Sequence, residues 1–365
     1  MTWAEMLDEL AESTDVDESE LERSATFMAV EDSRADAVEQ DGLPLAGEGP
    51  SGPGVSDREG LVAATAADEP GSGPGDGPEG AGAAAERGSV VGGPVPGQGF
   101  QIDASGARGM AGWGPAGPSV RAGDNVRALQ VLRRVQSEDR AASTAEQETL
   151  ARWTSWGALP KVFDESAAEF DGLREQLRGL LNDTEWTAAS RTTLNAHYTS
   201  PAYASAMWRA LQGLGFEGGQ VLEPGCGAGV FMGLAPKGAR MTGVELDPVT
   251  AGIAQALYPD VTVRTESFAR SPFQDGTFDA VIGNVPFADT RLLDHNHNPQ
   301  RRYSMHNHFI LKSLALTRPG GMVAVLTSRW TLDALDDSAR RDMLQMADMV
   351  TAVRLPTGAH RQVAG

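Results

Sequence analysis

The sequence predicts an α/β protein built on a mostly parallel, doubly wound sheet. From residue 198 onward, short apolar runs alternate with helical stretches, the pattern of a parallel sheet covered on both faces. Helical patterns without strands fill residues 121–197, and Gly and Pro dominate much of residues 1–120. We therefore expect three parts: a disordered acidic tail over 1–120, a small helical cap over 121–197 and a sheet domain over 198–365.

The acidity of the chain is concentrated in its first third. Residues 1–120 hold 23 of the 50 acidic side chains but only 5 of the 30 basic ones, so the net charge of −20 does not argue against a nucleic-acid substrate for the remainder. About 40% of residues 42–120 are Gly or Pro, and such a segment buries too little apolar surface to offset its ordering entropy. Before it, Thr2–Ala29 fits one or two short acidic helices, either transient in solvent or docking on a partner.

Six short apolar runs predict the strands of the sheet. They are Gln220–Leu222, Met241–Val244, Val261–Arg264, Asp279–Ile282, Met322–Leu326 and Met349–Leu355. Helices are expected between them, at Val249–Leu257, His306–Leu316 and Ser338–Met346, and before them from Ser200, a good N-cap. Ligands of such sheets bind at the carboxyl ends of the strands, where all of the unusual motifs lie.

The predicted cap has three helical patterns, and Thr144 with Gln147 resembles a capping box that opens the second. Trp153 and Trp156 are interpreted as core anchors, with base stacking as the alternative. We expect the cap to pack on the sheet domain. No apolar run reaches transmembrane length and no signal-peptide pattern opens the sequence. The single cysteine, Cys226, fits a reducing compartment, so a cytoplasmic protein with no membrane partner is expected.

A Gly-rich turn follows the first predicted strand. Gly225, Gly227 and Gly229 read Gly-x-Gly-x-Gly, whereas a nicotinamide-binding fingerprint would read Gly-x-Gly-x-x-Gly. Glycines let a backbone approach a ligand closely. An acid at Glu223 would repel a pyrophosphate but attract the ammonium group of an amino acid. The turn therefore favours S-adenosylmethionine over a dinucleotide.

Acidic residues after the next two strands complete the predicted cofactor site. Glu245 is expected to accept hydrogen bonds from both ribose hydroxyls, and Asp247 to cap the helix that begins at Pro248. After the third strand, Glu266 is predicted to accept from the adenine amine while Phe268 packs on the adenine ring, with the register open by one residue.

The segment Gly-Asn-Val-Pro-Phe, residues 283–287, predicts a pocket for a planar amine. The side-chain oxygen of Asn284 and the carbonyl of Val285 can accept from both N–H bonds of such an amine, which localises its lone pair for methyl transfer. Pro286 holds the preceding residue extended, and Phe287 can stack on a base. A paired base cannot reach such a pocket, so the nucleotide must be extruded or single-stranded.

These motifs resemble those of the N6-adenine DNA methyltransferases, whose acceptor motif reads Asn/Asp-Pro-Pro-Tyr/Phe. Segments 194–201, 223–227, 283–287 and 304–313 more specifically resemble the methylase module of large plasmid- and phage-borne methylase/helicase proteins. The resemblance runs from about residue 125 to 365. It implies a Rossmann-like class I methyltransferase fold, S-adenosylmethionine as cofactor, DNA with an extruded or single-stranded adenine as partner, and a fused or associated helicase.

The resemblance also implies roles that the residue patterns alone do not give. Tyr198 and Thr199 match the Tyr/Phe-Thr-x-Pro segment that covers the amino-acid end of the cofactor. Val285 replaces the first Pro of the acceptor motif; because that position contributes a backbone carbonyl, we expect the chemistry to survive with some loss of rigidity. The seventh, antiparallel strand of this class is not found, so we expect a C-terminally incomplete domain with an unpaired, aggregation-prone sheet edge.

Histidines and arginines near the acceptor segment form no recognisable site. The histidines lack ligands at metal-site spacing, so no metal is predicted at His295, His297, His306 or His308. Three arginines either contact phosphates or face solvent in a loop: Arg291, Arg301 and Arg302. The sequence thus predicts methylation of adenine N6 in DNA. RNA adenine, protein glutamine and a non-catalytic remnant that binds cofactor or DNA stay open as alternatives.

Overall fold

The computed structural model describes residues 25–27, 29–31, 99–102, 117–157, 159–192, 199–287 and 290–355. The disorder expected for the rest of residues 1–120 and the helices expected before Ala25 lie outside these ranges, as does Tyr198.

Eight strands lie within the described residues. They are β1 (Ala25–Phe27), β2 (Ala29–Glu31), β3 (Gly219–Pro224), β4 (Ala239–Glu245), β5 (Thr262–Thr265), β6 (Phe278–Asn284), β7 (Thr317–Ser328) and β8 (Ala352–Val353). Six of them form one sheet in the order β2-β7-β6-β3-β4-β5, and each neighbouring pair is parallel. The predicted mostly parallel sheet is confirmed, but the last predicted run, Met349–Leu355, contributes only β8, which pairs with β1 outside this sheet.

Ten α-helices lie in the same part of the chain. They are α1 (Pro118–Ser137), α2 (Thr144–Leu150), α3 (Asp171–Leu180), α4 (Asp183–Thr192), α5 (Pro201–Gly213), α6 (Val230–Gly233), α7 (Pro248–Leu257), α8 (Met305–Leu316), α9 (Trp330–Asp333) and α10 (Ser338–Met346). None of the described helices combines the length and apolarity needed to cross a bilayer. Helix α5 begins as predicted, because the Ser200 hydroxyl accepts from Ala202 N.

Both faces of the sheet are covered, as the continuous apolar runs predicted. Val221 and Leu222 are neighbours on β3 and fully buried, yet they belong to different hydrophobic clusters. Successive side chains of a strand point to opposite faces. One cluster therefore lies between the sheet and the cap with α5 and α7, and the other between the sheet and α8 with α10. The doubly wound α/β class follows directly.

The cap shares its core with the sheet domain. Trp153 and Trp156 are almost wholly buried and pack edge to face, which confirms the predicted core anchors. The Trp153 indole donates to Thr250 Oγ1 on α7 at 3.0 Å. The capping box of α2 is formed by Ser143 and Glu146, one residue earlier than predicted. The sequence Ser-Thr-Ala-Glu-Gln fits both registers, and a carboxylate accepts backbone N–H bonds more strongly than a neutral amide.

Three short stretches expected in the tail contact the folded domain. Phe100 N donates to Leu257 O at 2.9 Å, and Ile102 N to Gly233 O at 3.0 Å. Strand β2 pairs with the last three residues of β7, and β1 pairs antiparallel with β8, in place of the helix expected at Ala25–Phe27. An unpaired sheet edge was expected from the missing seventh strand, but the last three residues of β7 are paired with β2. Pairing satisfies N–H and C=O groups that an open edge leaves exposed.

Candidate active site

A cavity of about 920 Å³ opens at the carboxyl ends of the parallel strands. This is the edge at which α/β sheets bind ligands, and the volume is within the range of small-molecule sites. Its walls bring together most of the predicted site residues: Thr199, Glu223, Gly225, Gly227, Glu245, Glu266, Phe268, Asn284, Val285, Pro286 and Phe287. Two predicted residues are not among them, Gly229 and the undescribed Tyr198.

The Gly-rich turn after β3 requires its glycines for two different reasons. Gly225, Gly227 and Gly229 have φ angles of 70°, 53° and 88°, which side chains with a Cβ rarely adopt. Gly225 and Gly227 also line the cavity, so a ligand can approach their backbone. Gly229 instead faces the core, where an added Cβ would lie 2.5 Å from the Tyr258 ring. A side chain at this position would collide with that ring, so glycine is required there for packing of the turn.

Glu223 is a buried carboxylate that faces the cavity. Its side chain is only 2% exposed, and Oε2 has no hydrogen-bond partner among the described residues. Burial, then the nearby charge of Glu245, raise the pKa of Glu223 well above its ordinary range. Burying an uncompensated carboxylate is unfavourable. Because Glu223 lines the cavity and one of its oxygens lacks a partner among the described residues, the site fits a cationic group such as an amino-acid ammonium.

Glu245 ends β4 and is held by backbone donors. Its Oε2 accepts from Gly227 N at 2.9 Å and its Oε1 from Asp247 N at 2.8 Å. These bonds link the turn after β3 to the turn after β4 and orient the carboxylate beside the cavity. Asp247 has the separate, predicted task of capping α7, because its Oδ2 accepts from Thr250 N at 3.0 Å. Each carboxylate oxygen of Glu245 keeps a lone pair that a ribose hydroxyl can use.

The titration of Glu245 gives a pH-dependent expectation. Burial is the main cause that raises the pKa of Glu245 to about 7, from an ordinary 4.5. A carboxyl group with a raised folded-state pKa stabilises the protein fully below about 4.5, and this contribution is lost as pH rises through about 7. The ligand-free protein should therefore melt at a lower temperature at pH 8 than at pH 5. Affinity for S-adenosylhomocysteine should rise over the same interval, because ribose hydroxyls donate to the ionised form.

Thermal melting and calorimetric titration across this interval check the expectation. In Glu245→Gln, the melting temperature and the affinity for S-adenosylhomocysteine should both depend less on pH than in the wild type. Binding that weakens with rising pH would contradict the assignment of Glu245 to a hydrogen-bond acceptor.

The turn after β5 supplies the wall next to Glu245. Glu266 lines the cavity and pairs with Arg264 at 2.6 Å. Ser267 also lines the cavity, so either residue allowed by the one-residue uncertainty in register lies in its wall. Phe268 is 3% exposed, and its ring centre lies 4.8 Å from that of Phe309 on α8. The Phe268 ring is thus held in the cavity wall by its packing on Phe309.

The acceptor segment lies directly against the Gly-rich turn. Asn284 is the last residue of β6, and a Cβ added to Gly225 would lie 3.9 Å from Pro286 Cδ and 4.0 Å from Asn284 O. Val285 is 1% exposed, and its N–H donates to Leu326 O at 3.0 Å. A proline could not make that bond. The loss of rigidity expected from the missing proline is therefore offset by a hydrogen bond to β7.

A family described as a methyltransferase domain matches residues 221–321, the stretch from β3 into β7. The chain contains a methyltransferase domain. Its cofactor is S-adenosylmethionine. The residues present fit this cofactor, because the same cavity is lined by Glu223, which has a buried oxygen without a partner among the described residues, and by Glu245, whose carboxylate is oriented by backbone donors.

Three relatives show similarity over parts of the chain. Defense against restriction protein B of Escherichia phage P1 is 31% identical over 172 residues, which are 46% of this chain and 8% of that protein. Ribosomal RNA small subunit methyltransferase C of Chromohalobacter salexigens is 28% identical over 33% of this chain and 36% of its own. A probable S-adenosylmethionine-dependent methyltransferase of Mycolicibacterium smegmatis is 29% identical over 30% and 38%. The chain thus spans well under half of each relative.

The cap forms an outer wall of the methyltransferase cavity that sequence reasoning missed. Ser155 from the cap and Asp183, Thr184 and Thr187 from α4 line it beside Asp247. Nothing in their local sequence indicates this, because the contact is set by how the cap packs on α7. Thr199, the described member of the Tyr-Thr pair, is 4% exposed and also lines the cavity.

Some of the histidines and arginines near the acceptor segment have structural partners, and others are exposed. No group of three or more potential metal ligands occurs within the described residues. Arg302 pairs with Asp342 at 2.8 Å and stacks on Tyr303, and its side chain is half exposed. Arg291 and Arg301 are exposed. His308 is fully buried and contacts Asp294.

Proposed function

We propose that this methyltransferase domain methylates the exocyclic N6 amine of adenine in DNA. The observation on which the proposal rests is the position of Asn284 and Val285 in the same cavity as the Gly-rich turn and Glu223. S-adenosylmethionine, when bound, supplies an electrophilic methyl group. A planar amine placed between the two is the acceptor that this arrangement serves best.

The residues of the acceptor segment prepare the amine. Asn284 Oδ1 and the Val285 carbonyl accept its two hydrogens, which draws the nitrogen towards tetrahedral geometry and localises its lone pair. No strong general base is required, because the proton becomes acidic only as the nitrogen–carbon bond forms. Phe287 lines the cavity beside them and offers a face on which the base can stack.

The lining of the acceptor end favours a flat heterocycle over an amide side chain. Besides Phe287, its walls include the apolar side chains of Leu292, Met305 and Phe309. The phage relative bears a name that refers to restriction, a process that acts on DNA. The base must leave its duplex to enter. A helicase fused to or associated with the domain would supply single-stranded DNA.

RNA adenine is the second candidate, because one relative is named as a ribosomal RNA methyltransferase. The test offers tritiated S-adenosylmethionine with unmethylated duplex DNA, single-stranded DNA, RNA and denatured protein, followed by digestion and mass spectrometry. We expect N6-methyladenine in DNA, more in single strands than in duplex. Label confined to RNA or to glutamine would overturn the proposal, and cofactor binding without transfer to any acceptor would indicate a non-catalytic remnant.

A further inference from the structure

A fully buried lysine lies behind the cavity, outside the machinery described above. Lys312 on α8 is 1% exposed. Its Nζ donates to Phe268 O at 2.7 Å, to Ser271 O at 3.2 Å and to Asp294 Oδ2 at 3.0 Å. All three ammonium donors are therefore used, and two of them hold the backbone that follows β5.

Asp294 binds the backbone of the loop that precedes α8, as Lys312 binds the backbone that follows β5. It is 4% exposed, and its Oδ1 accepts from Asn296 N at 3.0 Å and from His297 N at 3.1 Å. Its Oδ2 accepts from Lys312 and from His308 Nε2, the latter at 3.1 Å. Burial alone would raise the pKa of Asp294, but hydrogen bonds from Lys312 and His297 hold that pKa well below its usual range. The carboxylate thus anchors the loop over residues 290–304 through the N–H groups of Asn296 and His297.

That loop forms one wall of the acceptor end. Leu292 and Met305 line the cavity at its two ends. Asn298, which is fully buried, closes the loop by donating to Leu292 O at 2.9 Å and accepting from Tyr303 N at 3.2 Å. The loop therefore has a defined shape. It leads directly into α8, and Asp294 attaches its earlier part to the same helix through His308 and Lys312.

Stability alone does not require a buried ion pair at this position. Desolvating an ion pair often outweighs the attraction between its members, and an apolar replacement of similar volume is frequently no less stable. A buried pair of this kind is therefore weak support for a purely stabilising role. Its hydrogen bonds instead run from one helix to two separate walls of a single cavity.

We infer that Asp294, His308 and Lys312, the Asp294 cluster, act as a positioning unit that couples the cofactor wall at Phe268–Ser271 to the acceptor wall at residues 290–304. The Lys312 ammonium group holds the carbonyls of Phe268 and Ser271 in the cofactor wall. The same ammonium group binds Asp294, which holds the acceptor loop. His308 donates to the same carboxylate oxygen and buttresses it from the helix. Ordering of one wall by its ligand then orders the other. The inference rests on the proposed assignment of Phe268 to the cofactor site and of residues 290–304 to the acceptor side.

The charge-neutral double variant Asp294→Asn with Lys312→Met tests this in the full chain. Each single variant leaves one buried charge without its partner and should lower the melting temperature, whereas the double should restore most of it. If the cluster positions the walls, the double should still bind S-adenosylhomocysteine about five- to tenfold more weakly, a change typical of lost coupling. Calorimetry measures the affinity without any methyl acceptor, so the result stands apart from the identity of the substrate.

Hydrogen exchange supplies the readout that a merely structural role would not change. In the wild type, S-adenosylhomocysteine should slow exchange in residues 290–304, although these lie on the acceptor side. In the double variant this slowing should disappear.

The matched control neutralises an ion pair at the opposite end of β6, Asp279→Asn with Arg318→Met, whose atoms lie 2.6 Å apart. It should bind the cofactor product as the wild type does. Wild-type affinity and loop protection in the Asp294 double would overturn the inference. So would failure of that double to fold, because the cluster would then serve stability alone.

Discussion

Replacing Asn284 with alanine is expected to lower the turnover number for methyl transfer by about 10²- to 10³-fold, the effect of removing one group that stabilises developing charge. Affinity for S-adenosylhomocysteine should be nearly unchanged. The residue lies at the end of β6 beside Pro286 and the Gly-rich turn, at the acceptor end of the cavity. Single-turnover kinetics on single-stranded DNA, with calorimetry for the cofactor product, separate the two quantities.

Two companion variants sharpen this result. Asn284→Asp keeps an acceptor oxygen, so it should retain more activity than the alanine variant. Asn296→Ala changes an exposed side chain in the adjoining loop. The backbone N–H of Asn296, which donates to Asp294, is kept in this variant, so it should behave as the wild type. Equal turnover numbers for the wild type and Asn284→Ala would contradict the proposal that Asn284 activates the acceptor amine.

The parts of the fold and site that could be predicted from sequence are those set by local patterns. The run Val221–Leu222 is apolar on both faces, so it predicted a strand buried between two layers. Glycines at 225 and 227 follow the end of β3, and the acids at 223 and 245 lie at the ends of β3 and β4. Parallel strands place such ends at one edge of the sheet. Helix α7 was predicted nearly to the residue, since Asp247 followed by proline combines an N-cap with a good first turn.

What could not be predicted depends on contacts between distant residues. The cap residues that line the cavity, such as Ser155 and Thr187, have no local feature that distinguishes them from solvated positions. The Asp294 cluster joins side chains 14 and 18 positions apart with carbonyls more than 40 positions away. His308 drew attention as a possible metal ligand, whereas its partner is a carboxylate already neutralised by Lys312. Pairing of β2 with β7 likewise required the sheet to be built first.

Glu223→Gln is expected to weaken binding of S-adenosylmethionine by about 30-fold or more, because truncating one member of a buried charged pair costs about 2 kcal/mol or more. The same variant should raise the melting temperature of the ligand-free protein. In that state the carboxylate is 2% exposed and one of its oxygens lacks a partner among the described residues. The buried carboxyl group must either bind a proton or be buried as a charge, whereas an amide is neutral at every pH. Binding and stability should therefore change in opposite directions, as expected where a site is held ready for a ligand at the expense of the empty protein.

The pH dependence distinguishes this explanation from general disruption of the turn. Burial and the neighbouring Glu245 raise the pKa of Glu223 well above its ordinary value, so its contribution to folding is present at low pH and is lost as pH rises through the folded-state pKa. Glu223→Gln should remove that part of the slope, and its gain in melting temperature should be largest at alkaline pH. Glu217→Gln, at an exposed position just before β3, should alter neither affinity nor slope. A destabilised Glu223→Gln protein at every pH would show that the carboxylate is needed to form the turn, and the ammonium-binding role would lose its main support.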